Sequence, residues 1–127
     1  MAPLFLTTEI VQRIHEDQIQ RYGRRPGIRD VGLLESAVAM PQAGFGGQYF
    51  HTDLFEMAAA YLFHLVKNHP FVDGNNRMGA MTAYAFLELN GHTVNVPEQG
   101  FGDLVLKVAE GKASKSAVAE FFRKHAG

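Results

Sequence analysis

The 127-residue sequence predicts an all-α fold, a compact bundle of about six helices that forms a single domain over residues 1–127. Two observations predict this fold class. Apolar residues recur at helical spacing in successive segments, and capping residues begin these segments while glycine or proline ends them. The hydrophobic content of 46% is ordinary for a globular protein. A chain of this length buries roughly two-thirds of its unfolded surface.

The first two helices are predicted from their caps. Thr7 caps a first helix, and Gly23 ends it as a C-terminal cap. Residues 24–29 form a loop that contains a Pro-Gly turn. Asp30 then caps a short second helix that ends at Pro41. The apolar residues of these two helices are Ile10, Val11, Ile14, Ile19, Leu33, Leu34, Ala37 and Val38.

Two longer helices occupy the middle of the chain. Asp53 and Glu56 form a capping box that opens the first of them, and residues 58–60 are three alanines that let a neighbouring helix approach closely. The second begins near position 77 and ends at Asn90-Gly91. Both helices are apolar nearly all round, which indicates central, buried elements.

The remaining chain predicts two further helices. Residues 93–96 form at most a short extended piece. Pro97 starts the fifth helix at its first helical position, where its missing N–H costs nothing. Ser114 caps the sixth.

Residues 41–52 are the least regular segment. Three glycines and three aromatic residues within twelve positions predict an exposed loop or a small hairpin. One interpretation is a connector whose aromatic side chains pack onto the core.

Residues 69–77, His-Pro-Phe-Val-Asp-Gly-Asn-Asn-Arg, lie between the two long helices and predict a phosphate site. Gly74 can adopt positive φ, so the loop can turn its backbone N–H groups inward. The apolar pattern resumes at Met78, which places Asn75, Asn76 and Arg77 at a helix N-terminus. Free N–H groups and the helix dipole favour an anion there.

The side chains of the same segment add the chemistry of group transfer. Arg77 carries a permanent charge whose planar fork suits phosphate oxygens. Asp73 offers a hard oxygen for Mg²⁺. His69 is a candidate general base, since histidine ionises near neutral pH. Taken alone, these residues are more often a packed histidine, a turn aspartate and a solvated arginine, so their combination is what predicts transfer from a nucleotide.

This segment resembles the signature of the Fic/Doc family, H-P-F-x-(D/N)-G-N-x-R, and in particular its death-on-curing (Doc) toxin branch. The resemblance extends over nearly the whole chain. The other matching segments are Phe5-Leu6-Thr7, Tyr22-Gly23, Gly27-Ile28-Arg29-Asp30, Leu34-Glu35-Ser36-Ala37 and Asn90-Gly91.

The resemblance implies a role for each motif residue. His69 deprotonates the target hydroxyl, Asp73 binds the Mg²⁺ that bridges phosphates, and Phe71 plugs into the core. The residues implied to bind the phosphates of the ATP co-substrate are Gly74, Asn75, Asn76 and Arg77. The segment before the motif helices corresponds to a flap that holds the target peptide by strand addition. Its residues here are Gly44, Phe45, Gly46, Gly47, Gln48 and Tyr49.

Two departures bear on the reaction. Family members that transfer AMP have glycine at the position of Asn76 and a second arginine at the position of Ala80. Doc-type toxins have lysine at position 76 and, by this resemblance, act as kinases of elongation factor Tu. Ala80 favours phosphoryl transfer. Transfer of AMP to a protein hydroxyl and a degenerate, non-enzymatic partner-binding member are the alternatives.

The resemblance also implies a type II toxin-antitoxin system. An inhibitory helix, (S/T)-x-x-x-E-(G/N), is approached only by Ser116 to Glu120, which Phe121 follows. We therefore expect a separate small antitoxin whose C-terminal segment folds on binding.

Other partners and sites are not expected from the sequence. The net charge is −1 and there is no cysteine, so neither direct DNA binding nor a thiolate site is expected. His64 has no zinc-type partner spacing and is interpreted as structural. The N-terminus is not typical of a signal peptide, no apolar segment approaches membrane-spanning length, and a cytoplasmic location is expected.

Overall fold

The structure, a computed structural model that describes residues 2–126, contains the six predicted helices and confirms the all-α fold. The helices are α1 (Thr8–Tyr22), α2 (Val31–Ala39), α3 (Leu54–Asn68), α4 (Asn75–Leu89), α5 (Glu98–Ala109) and α6 (Lys115–His125). A 3₁₀ helix, Met40–Gln42, follows α2. The antiparallel strands β1 (Gly44–Phe45) and β2 (Gln48–Tyr49) form a small hairpin. Within residues 2–126, no helix is long and apolar enough to cross a membrane.

The predicted caps begin the helices, with two corrections. The capping box at Asp53 is incomplete, because the Glu56 carboxylate accepts from the Thr52 N–H at 3.2 Å rather than from the Asp53 N–H. Thr7, Asp30, Asp53 and Ser114 each accept a hydrogen bond from the backbone N–H three residues later, at 3.2, 3.0, 2.8 and 3.1 Å. The position predicted for Pro97 was wrong by one residue. Its ψ of 127° is extended, so α5 begins at Glu98 and Pro97 is the N-cap.

Helix α3 is the centre of the bundle and packs against α2, α4, α5 and α6. Residues 57–62 are buried along almost two full turns, as their apolar sequence predicts. Helix α4 is less enclosed than predicted. Its residues Ala80, Met81 and Tyr84 line an open groove against α5 and are only partly buried.

Helices α3 and α4 are in close contact at Gly79. A Cβ atom at this position would lie 2.7 Å from Val66 Cγ2 and 3.0 Å from the Leu62 carbonyl oxygen. The two helices therefore approach to a distance that only glycine permits. This contact brings the end of α3 close to the start of α4, and the motif lies between them.

Lys115 at the start of α6 connects two histidines. Its Nζ donates hydrogen bonds to Nε2 of His51 at 3.1 Å and to Nε2 of His64 at 2.9 Å. Burial first, and then the Lys115 charge, lower the pKa of His64 to about 4. The same two causes lower the pKa of His51. Both imidazoles are therefore neutral acceptors in the fold.

We expect Gly79→Ala to destabilise the protein. Alanine favours helices over glycine by roughly 1 kcal/mol, but overpacking costs typically about 1–3 kcal/mol. The matched control is Gly102→Ala in α5, where no atom lies within 4 Å of the new Cβ and stability should rise. Urea denaturation measures both. A Gly79→Ala variant as stable as Gly102→Ala would contradict the close helix contact.

Acid should destabilise the fold through His64. Unfolding returns its pKa from about 4 to the ordinary value of roughly 6.5, so the unfolded chain binds the proton first. The melting temperature should therefore fall as the pH drops from about 6.5 towards 4. His64→Gln keeps an acceptor for Lys115 but does not titrate, so its melting temperature should depend less on pH. Equal slopes in wild type and His64→Gln would refute this assignment.

Candidate active site

The motif loop starts with a residue in an unusual backbone conformation. His69 caps α3 with φ of 52°, and its N–H donates to the Leu65 carbonyl at 3.3 Å. Within residues 2–126 it is the only non-glycine residue with positive φ. Such residues are uncommon and cluster at functional sites. The conformation leaves the imidazole exposed to solvent.

A short antiparallel contact with the loop after α1 fixes the path of the motif. Val72 N–H donates to the Gly27 carbonyl at 3.0 Å, and the Pro70 carbonyl accepts from the backbone N–H groups of residues 29 and 30 at 2.7 and 3.0 Å. The Arg29 guanidinium continues this contact. It donates to the carbonyl oxygens of His69 and Asn68 at 2.7 and 3.0 Å. Arg29 therefore satisfies carbonyls at the C-terminal end of α3.

Phe71 anchors the loop in the core. Its ring is fully buried and stacks on His15, with ring centroids 3.9 Å apart and planes at 10°. His15 Nε2 also hydrogen-bonds to the Asp73 carbonyl at 2.9 Å, so this nitrogen carries the proton. Through His15, helix α1 therefore contacts the loop twice, by stacking on the Phe71 ring and by a hydrogen bond to the Asp73 carbonyl.

The Asn75 side chain forms two hydrogen bonds with the backbone of Phe71. Its Oδ1 accepts from Phe71 N–H at 2.9 Å, and its Nδ2 donates to the Phe71 carbonyl at 3.0 Å. The side chain is buried, so Asn75 has only its backbone N–H to offer a ligand. Asn76, its neighbour, is exposed.

The Asp73 carboxylate accepts two backbone hydrogen bonds and lies near the Arg24 guanidinium. Its Oδ1 accepts from Gly74 N–H at 2.9 Å and its Oδ2 from Arg25 N–H at 3.2 Å, while Arg24 Nη1 lies 3.7 Å from Oδ1. The Arg25 N–H leads the interactions that lower the pKa of Asp73 below its usual value. The carboxyl group is therefore ionised at neutral pH.

The predicted polar residues meet in one cavity of about 270 Å³. Its lining consists of Arg24, His69, Asp73, Gly74, Asn75, Asn76 and Arg77. Arg77 is oriented by Tyr22, because its guanidinium carbon lies 3.9 Å from the centre of that ring. An imidazole, a carboxylate, two guanidinium groups and a helix N-terminus thus line one space.

The residues fit a magnesium ion that a nucleotide helps to hold. Within residues 2–126, no group of three or more histidine, cysteine or acidic side chains converges. Mg²⁺ is often bound by one or two carboxylates together with phosphates and water. Asp73, ionised and half-exposed, meets that requirement.

The segment predicted as a loop or hairpin is a hairpin. Gly46 and Gly47 have φ of 62° and 82°, the positive values that a two-residue type I′ turn requires. Tyr49 packs against Phe5 with ring centroids 5.6 Å apart, whereas Phe45 and Phe50 are 85% and 65% exposed. Tyr49 is itself 41% exposed, so none of the three aromatic side chains is buried in the core, and the connector interpretation is supported only by the contact between Tyr49 and Phe5.

Sequence reasoning missed three residues of this site. His15 falls on the buried face of α1 with Val11, a spacing that marks it as a core position. Arg29 lies in a segment that matches the family, but no contact was predicted for its side chain. Arg24 belongs to a loop with no periodicity, and only its proximity to the Tyr22-Gly23 helix end could have suggested a role.

Fold and site together define a helical bundle whose two central helices are joined by a Fic-type motif loop. The sequence matches the Fic/DOC family over residues 5–87. The chain therefore belongs to the Fic/Doc family.

Two characterised relatives are similar to the chain. One is "Protein kinase doc" of Escherichia phage P1, 36% identical over 120 residues, which cover 94% of this chain and 93% of that protein. The other is "Toxin Doc" of Mycolicibacterium smegmatis (strain ATCC 700084 / mc(2)155). It is 44% identical over 70 residues, 55% of this chain and 54% of that protein.

The two adjacent asparagines of the motif should respond differently to truncation. Asn75→Ala leaves the Phe71 N–H and carbonyl buried without partners, and each such group costs about 1–3 kcal/mol. Asn76→Ala removes an exposed side chain and should change stability by less than about 0.5 kcal/mol. Chemical denaturation measures both variants. If they were equally stable, the bidentate contact to Phe71 would not hold the loop.

Proposed function

We propose that this protein is the toxin of a type II toxin-antitoxin system and transfers phosphate from ATP to a hydroxyl group of a protein target. The cavity carries the proposal, because it unites an exposed base with an anion-binding helix start and two arginines. Similarity to a protein kinase over nearly the full length of both chains supports the reaction type. By the family resemblance, the target is elongation factor Tu, encountered in the cytoplasm.

His69 has the position that a general base needs. It lines the cavity and is exposed to solvent, so a hydroxyl from a second protein can reach it. The base takes the hydroxyl proton as the oxygen attacks the terminal phosphorus, and ADP leaves. The α4 N–H groups and Arg77 bind the charge on the phosphate oxygens. Mg²⁺, held by Asp73, would neutralise phosphate charge when the nucleotide is bound.

Position 80 favours phosphoryl over AMP transfer. Ala80 lines the groove beside Arg77, at the position where AMP-transferring relatives carry a second arginine. Asn76 lies at the junction of this groove and the cavity, where a glycine would leave the helix start more open. AMP transfer is the second candidate because Asn76 also lacks the lysine charge of Doc-type kinases.

The hairpin is suited to hold the target. Its two strands pair with each other alone within residues 2–126, so each has an outer edge with unpaired backbone groups. An extended peptide can add to such an edge, and the exposed Phe45 side chain offers an apolar contact to it.

The groove between α4 and α5 is the surface that we propose for the antitoxin segment. This space of about 640 Å³ adjoins the cavity at Asn76 and Arg77 and continues along apolar side chains. These side chains are Met81, Tyr84, Phe101, Val105 and Leu106. An amphipathic C-terminal segment of the antitoxin that folds here would block the cavity. Slower amide exchange in α4 and α5 on antitoxin binding would mark this surface.

His69→Ala should abolish transfer and leave the fold intact. Removal of a general base typically costs roughly 10²–10⁴-fold in rate. The assay uses γ-labelled ATP and elongation factor Tu, and circular dichroism with thermal melting checks the fold. Without antitoxin, wild type should arrest growth and His69→Ala should not. Near wild-type rates in His69→Ala would refute the proposed base.

Substitution of Asn76 should separate the two reactions. Asn76→Lys adds a cation at the developing charge and should raise transfer of the γ-label. Asn76→Gly opens the helix start and should permit some transfer of the α-label. The measurement compares α- and γ-labelled ATP on one target. A wild-type protein that transfers the α-label, with suppression in Asn76→Lys, would identify an AMP transferase instead.

A further inference from the structure

Arg24 is a second guanidinium in the motif cavity, and it comes from outside the motif. It lines both the cavity around His69 and the adjoining groove between α4 and α5. Only Asn76 and Arg77 share that property. Arg24 therefore stands with Arg77 where the two spaces meet.

The chain places Arg24 there through the end of α1. Tyr22, the last residue of this helix, lies under the Arg77 guanidinium. Gly23 then adopts a left-handed conformation with φ of 65°, which turns the chain back over the motif. As a result, Arg24 Cδ comes within 3.6 Å of the position of a Cβ on Gly74. The backbone N–H of Arg25 fastens this turn to Asp73.

The Arg24 guanidinium forms weaker contacts within the protein than the guanidinium groups of Arg29 and Arg123. Arg29 uses its guanidinium on two backbone carbonyls, and Arg123 forms short ion pairs with Asp53 and Glu120. Arg24 reaches Asp73 only at 3.7 Å, and within residues 2–126 its guanidinium donates no hydrogen bond. Its N–H groups are available to a ligand.

We propose that Arg24 binds the phosphates of the nucleotide and, together with Arg77, forms a two-arginine clamp. This inference rests on the proposed function, since it concerns the same cavity. A planar guanidinium can donate two parallel hydrogen bonds to phosphate oxygens. Arg24 thereby supplies a cation that neither Asn76 nor Ala80 provides. It is a substrate-binding residue recruited from the α1 end.

The test measures binding of Mg-ATP by calorimetry, with no target present. Arg24→Ala should weaken binding roughly 10- to 100-fold, the range of one charged hydrogen bond. Arg24→Lys keeps the charge without the fork and should fall between wild type and alanine. The control is Arg21→Ala, which removes the same charge one turn earlier, from a residue paired with Asp17 outside both spaces. It should bind as wild type does.

A measurement in EDTA separates direct binding from an effect through Asp73. If Arg24 contacts phosphate, Arg24→Ala should also weaken binding of metal-free ATP. A loss confined to Mg-ATP would overturn the proposal and assign Arg24 to positioning of Asp73. Adding Asn76→Lys to Arg24→Ala should restore binding, because it returns a cation to the same junction.

The outcomes for the two proposals are distinguishable. Wild-type protein that binds Mg-ATP, with Arg24→Ala equal to Arg21→Ala, would refute the clamp and leave the proposed function standing. Wild-type protein that binds no Mg-ATP would refute the nucleotide-dependent function itself, and the clamp with it.

Discussion

The antiparallel contact between residues 27–30 and the motif loop fixes the candidate active site. The loop has no regular structure of its own, so its backbone groups need partners elsewhere. Residues 27, 29 and 30 pair with the loop backbone, and the Arg29 side chain satisfies two carbonyls at the end of α3. His69 can therefore keep its left-handed conformation, whose cost the surrounding contacts offset.

The two helices beside the motif loop, α3 and α4, hold it in one conformation. Gly79 lets α4 approach α3 so closely that a Cβ atom at this position would collide with Val66. Asn75 then joins the first turn of α4 to the Phe71 backbone, and Phe71 is fully buried. The free N–H groups at the start of α4 consequently face the cavity from a rigid element. Preorganised donors of this kind need no rearrangement when charge develops.

The fold was largely predictable because its signals are local. Caps such as Thr7 and Asp53 act on N–H groups three residues away, and helical periodicity marks the buried faces. The start of α5 was off by one residue, at Pro97, and α4 is less enclosed than its apolar sequence predicts. The motif residues were predictable as a group. The partners Arg24 and His15 were not, since contacts between distant positions, such as His15 and Asp73 58 residues apart, leave no trace in spacing.

Nearby groups offset the positive charge of the two arginines in the cavity. Arg77 rests on the face of Tyr22, and Asp73 is the only carboxylate among the lining residues. Asp73 therefore holds the loop through backbone donors and also opposes the charge of Arg24. On the proposed function, this carboxylate would hold a phosphate-bound Mg²⁺. Arg24 would then have phosphate as its counter-charge, which would couple metal binding to nucleotide binding through Asp73.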